Sequence, residues 1–101
     1  MGKAAQYRIG EDLKRALARR ALQEELSLGD LSRRLLGDKF GVETEAGNAR
    51  LPRLADVKGE FLFLTLPELL QDRIKGAAWM YGKTQNEVVT EILQDGMEKA
   101  A

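Results

Sequence analysis

The chain carries one pattern twice. Moved back by 57 positions without a gap, residues 60–97 fall on residues 3–40. Leu66, Leu70, Ile74 and Ala78 then land on Ile9, Leu13, Leu17 and Ala21; Thr84 and Glu87 land on Ser27 and Asp30; Ile92, Leu93 and Met97 land on Leu35, Leu36 and Phe40. Few residues are identical. What recurs is apolar spacing and capping chemistry, which is how an internal structural repeat shows itself. Each copy alone is shorter than a chain that normally sustains its own core, so the two halves are expected to share one.

Each copy opens on a strand-like stretch. Ala5, Tyr7 and Ile9 alternate with Ala4, Gln6 and Arg8, the period of a half-buried strand. The second stretch, Glu60 to Leu66, is apolar on both faces, so cover on both sides is expected. A helix follows each: Glu11 to Glu25, with Leu13, Leu17, Ala21 and Leu22 on one stripe, and a second from Pro67 to Tyr81 carrying Leu70, Ile74 and Ala78. Pro67 suits a first helical position, where its missing N–H has no helical partner. Gly82 suits a left-handed stop. Thr84-Gln85-Asn86-Glu87 forms a capping box for a further helix, and Ser27-Leu28-Gly29-Asp30 is its weaker counterpart. Residues 41–59 have no clear period and read as a linker able to extend roughly 60 Å.

The expected architecture is therefore mainly α with a short two-stranded antiparallel ribbon: repeat 1 over 3–40, a linker over 41–59 and repeat 2 over 60–97. Strand, helix, tight turn and capped helix, repeated, resemble the ribbon-helix-helix superfamily of the Arc and Met repressors. Two copies in one polypeptide resemble the TraY-type conjugation proteins. The segments carrying the likeness are Leu64-Thr65-Leu66-Pro67-Glu68-Leu69-Leu70 and Gly82-Lys83-Thr84-Gln85-Asn86-Glu87. The resemblance implies a tandem ribbon-helix-helix pseudo-dimer whose ribbon enters the DNA major groove.

It further implies roles for particular residues. The outward strand residues Gln6, Arg8 and Thr65 would read bases, Gln pairing with adenine, Arg with guanine, and Thr giving a hydroxyl or methyl contact. The second-helix starts would hold phosphates on free amides at the positive end of the helix dipole: Ser27, Leu28 and Gly29 in one copy, Lys83, Thr84, Gln85 and Asn86 in the other. Phe61 and Phe63 depart from the pattern, because two exposed phenylalanines each forgo about 1.5–3 kcal/mol of burial. A cation–π pair between Phe61 and Arg8, a covering linker or a protein partner would each account for them, as would an aromatic wedge into DNA, although wedges typically work from the minor groove. Their presence on one strand only implies lopsided recognition of a non-palindromic site. Lys14, Arg15, Arg19, Arg20, Arg33 and Arg34 read as solvated helix surface, and Trp79, among Ala77, Ala78 and Met80, as a packing anchor.

Charge is divided unevenly between the halves. Net charge is zero, yet residues 1–40 hold nine Lys/Arg against six Asp/Glu, while residues 60–101 hold four against seven. Either the two halves attract one another, or only the first half faces an anionic partner. The chain has no histidine and no cysteine, which removes the commonest general base, a thiol nucleophile and thiolate metal sites. Gly82-Lys83-Thr84 lacks the earlier glycine of a phosphate-binding loop and follows a helix. No enzyme activity, cofactor, metal or small-molecule substrate is expected. No apolar run approaches a membrane span, and a cytoplasmic location is expected. The function implied is binding of double-stranded DNA as a small transcriptional regulator or a plasmid maintenance or transfer accessory, with self-association on adjacent half-sites. The alternative is a protein-interaction module on the same scaffold that uses Phe61 and Phe63.

Overall fold

The computed structural model describes residues 2–45, 47 and 50–99; residues 46, 48 and 49, within the expected linker, lie outside them. Two strands and four helices follow in order: β1 (Gly2–Arg8), α1 (Glu11–Gln23), α2 (Leu28–Phe40), β2 (Phe61–Pro67), α3 (Glu68–Tyr81) and α4 (Gln85–Lys99), with a single 3-10 turn at Leu54–Asp56 before β2. The chain is mainly helical, and among the described residues its one sheet is the antiparallel pair β1–β2.

The register runs from Gly2 opposite Pro67 to Arg8 opposite Phe61, with Ala5 facing Leu64 at the centre and Gln6 facing Phe63 beside it. Under the 57-residue offset Gln6 and Phe63 are equivalent positions. The point where the repeat maps onto itself thus lies within the ribbon, one pair from its centre. Inward residues alternate as expected for one buried face: Tyr7 and Ile9 from the first strand region, Leu62, Leu64 and Leu66 from the second. Cover on both faces of β2, expected from its composition, does not occur. Phe61 is 40% and Phe63 68% exposed, because all four helices pack beneath the ribbon.

Beneath it, Leu17 and Ala21 of α1, Leu31 and Leu36 of α2, Leu70, Ile74 and Ala78 of α3, and Val88, Val89, Ile92 and Leu93 of α4 form one continuous core with the strands. The packing crosses between copies. α2 packs against β2 and α4 against β1, while α2 and α4 pack against each other. Gly96 of α4 faces the Leu35 side chain of α2, whose Cδ2 would stand 2.8 Å from a Cβ there and would have to shift to admit one. Neither copy has a core without the other.

Two helix ends repeat atom for atom. The Lys83 amide donates to Ala78 O at 2.9 Å and the Leu26 amide to Ala21 O at 2.8 Å, the closing bond of a Schellman motif in each copy. Gly82 takes φ 64° there, and its counterpart Glu25 takes φ 57°. The expected helix through Glu25 therefore ends at Gln23: the backbone has already turned left-handed at Glu25. Pro67 is likewise the last residue of β2 and the N-cap of α3 rather than its first turn. Its ψ of 143° is extended, so the helix begins one residue later.

Candidate nucleic-acid interface

The outward face of the ribbon is built by alternation alone. With the odd-numbered side chains of β1 turned inward from Ala5 onward, Ala4, Gln6 and Arg8 stand exposed, and across the pair stand Thr65, Phe63 and Phe61. The base-reading candidates Gln6, Arg8 and Thr65 thus share one surface with Phe61 and Phe63. At one end, Gly2, Ala4 and Thr65 are small; at the other, Arg8 opposes Phe61. The Arg8 guanidinium is held by Glu60 at 2.9 Å, both side chains remaining half or more exposed. Such an exposed pair holds the arginine loosely, for about 1 kcal/mol or less.

A second-helix start flanks each edge of the ribbon. On the β1 side, Asn86 Oδ1 accepts from the Arg8 amide at 3.0 Å, fixing the start of α4 beside the strand. On the β2 side, Arg33 of α2 reaches the Thr65 carbonyl at 3.5 Å. Arg8 and Thr65 are equivalent under the repeat, so each strand is tied at the same place to the second helix of the other copy.

The two helix starts differ in cover. Lys83, Thr84, Gln85 and Asn86 are all exposed. The Glu87 amide donates to Thr84 Oγ1 at 3.1 Å and the Thr84 amide to Glu87 Oε1 at 3.4 Å, so the capping box closes as its spacing requires. Lys83 turns away from the helix end to Glu91, at 2.7 Å. The hydrogen bond to that carboxylate, with its charge, raises the Lys83 pKa above the ordinary lysine value.

At the first start, Ser27, Leu28 and Gly29 are half-buried. Ser27 Oγ accepts from the Asp30 amide at 3.0 Å. Asp30 itself, 7% exposed, receives the Gly47 amide of the linker at 2.7 Å and the Arg33 guanidinium. Burial pushes its carboxyl pKa up, but the Gly47 amide, Arg33 and the Ser27 hydroxyl outweigh that and hold it below the ordinary aspartate value. Arg33 is therefore not solvated surface as its sequence context suggests. Its side chain is 15% exposed, and its Nε is buried without a hydrogen-bond partner.

The linker follows this anchor rather than the ribbon's outer face. Lys14 donates to the Lys58 carbonyl at 2.9 Å, and Val57 is buried. Arg50 and Arg53 join Lys14, Ser27, Leu28 and Gly29 around a cleft of about 680 Å³. Among the described residues nothing in the linker shields Phe63. Of the other basic residues, Arg15 pairs with Glu11 at 3.0 Å and Arg34 with Glu24 at 3.6 Å, all on the helix surface. Trp79 is 87% exposed, with Met80 and Tyr81 at 69% and 68%; it is not a packing anchor.

Sequence reasoning missed the tethering roles of Asp30, Arg33 and Asn86. The three-residue spacing of Asp30 and Arg33 places them on one helix face and was the available signal. Asn86, four-fifths of the chain away from Arg8, gave none. Among the described residues, no cluster of three or more His, Cys, Asp or Glu could hold a metal ion, and no helix is long and apolar enough to cross a membrane. Comparison with protein-family models, with characterised proteins and with solved structures returns no match to this chain.

Proposed function

We propose that the chain is a tandem ribbon-helix-helix pseudo-dimer that binds double-stranded DNA by laying β1 and β2 in the major groove. The observation that carries this reading is the ribbon with its flanks. One exposed face bears Gln6, Arg8 and Thr65, the start of α4 is tied to one edge through Asn86, and α2 is tied to the other through Arg33 in its second turn. A two-stranded ribbon fits a groove about 12 Å wide, and the helix starts then fall beside the phosphates on either side. Its role is that of a small transcriptional regulator or a plasmid maintenance or transfer accessory, with copies side by side on adjacent half-sites to reach useful specificity. Lys14, Arg50 and Arg53 add positive charge at the first helix start only, which favours a lopsided footprint.

Electrophoretic mobility of random duplex DNA at low and moderate salt tests the reading. Binding that falls steeply with salt is expected, because phosphate contacts release counterions. Arg8→Ala is expected to weaken a selected site by about tenfold, the low end of a bidentate guanine contact. Absence of binding at low salt defeats the proposal. The exposure of Phe63 favours one other reading, a protein partner seated on the ribbon. In that case Phe63→Ser abolishes partner capture and leaves no DNA binding to be lost.

A further inference from the structure

Phe61 and Phe63 are the residues that fit a polar groove least, and their placement says what they would meet there. They are not the result of a slipped strand. Moving β2 by one residue would expose Leu62, Leu64 and Leu66, which are 2%, 4% and 0% exposed. Phe63 lies opposite Gln6, one pair from the middle of the ribbon, and Phe61 at its bulky end opposite Arg8. Toward the other end Thr65 is exposed, and a Cβ on Gly2 would stand 2.7 Å from its Cγ2. The Thr65 methyl therefore leans over Gly2, and with Ala4 this end stays low enough for the backbone to approach the groove floor.

A phenylalanine ring has no donor or acceptor. Pressed against the amino or carbonyl edge of a base it would leave that edge unpaired, at a cost. The major groove offers one apolar feature, the methyl group on C5 of a pyrimidine. We infer that the outward face of β2 reads 5-methylpyrimidines, through the rings of Phe63 and Phe61 and the methyl of Thr65. This rests on the DNA-binding reading and adds the chemistry of one half of the site. The β1 side hydrogen-bonds to purines through Gln6 and Arg8, and the β2 side selects methyl groups and rejects bare polar edges. Thymine and 5-methylcytosine present the same group, and the test separates them.

The full chain is used to select a duplex from a random pool, and the selected duplex is remade with deoxyuridine for thymidine, one strand at a time. Uracil keeps every hydrogen-bonding group of thymine and lacks only the methyl. Affinity is expected to fall roughly fourfold for each methyl contacted, the effect of one buried methyl-sized group, at positions clustered on one side of the site centre. In Phe61→Ser and Phe63→Ser, both solvent-facing and checked for folding by circular dichroism, the distinction between the thymine and uracil forms is expected to disappear at the positions the lost ring contacts. Gln6→Ala is expected to keep it. A second arm methylates C5 of the cytosines: a similar gain there, with no loss from uracil, assigns the face to 5-methylcytosine. If neither arm changes affinity, or if the thymine preference survives both phenylalanine substitutions, methyl reading is overturned while DNA binding stands. A chain that retains no duplex from the pool overturns both.

Discussion

Glu25 shows what one residue can cost. It holds φ 57° at the position where its counterpart Gly82 holds 64°, and both close the same Schellman bond. A β-carbon in this conformation crowds the neighbouring carbonyl by about 1 kcal/mol, and glycine does not. Glu25→Gly is expected to stabilise the chain by about that amount, measured as a raised urea midpoint with unchanged slope. Trp79 gives a second check at this scale. It is the chain's one tryptophan and is 87% exposed, so its emission should sit at the wavelength of a solvated indole and be fully open to acrylamide. A blue-shifted, protected emission would mean that its surface is covered in solution. The sequence misleads here because Ala77 to Tyr81 is apolar throughout, yet successive helical residues turn by about 100°. Of that run Ala78 is buried in the core stripe and Ala77 packs partly against it, while Trp79, Met80 and Tyr81 turn to solvent.

At the scale of elements, a buried carboxylate ties the linker back onto α2. Asp30 takes the Gly47 amide and the Arg33 guanidinium together. Since its pKa is lowered in the folded chain, this stabilisation is complete above the unfolded aspartate pKa and is lost as pH falls through the folded one. Asp30→Asn is expected to cost about 2 kcal/mol at neutral pH, below the roughly 3–5 kcal/mol of a fully buried broken pair because Arg33 keeps some solvent. In strong acid the variant and parent should converge. Urea unfolding across the acid range measures both. The elements themselves were legible: strand alternation, the Thr84–Glu87 box and the Gly82 stop all stand where their spacing put them. The Asp30 anchor was not, because it depends on a linker amide 17 positions away, which local pattern cannot reach. The outer face was legible in its members Gln6, Arg8, Thr65, Phe61 and Phe63, since alternation fixes which side each takes. Its edges were not, because they depend on contacts between copies.

Across the whole molecule the crossed packing governs stability. α2 rests on β2 and α4 on β1, so the core forms only when both copies are in place, and one chain supplies both. Folding is then a unimolecular event, and the thermal midpoint should not move over a hundredfold range of protein concentration. A midpoint that climbs with concentration would mean that the folded unit is an assembly.

The register has a consequence for how such a surface can change. When two identical chains pair about an axis, whatever occupies the strand position on that axis meets its own copy there, and any mutation strikes both sides together. Here the two occupants, Gln6 and Phe63, come from separate codons. Either can be replaced while the other stays, so selection can tune one side of the molecule toward a new target without disturbing the side already in use.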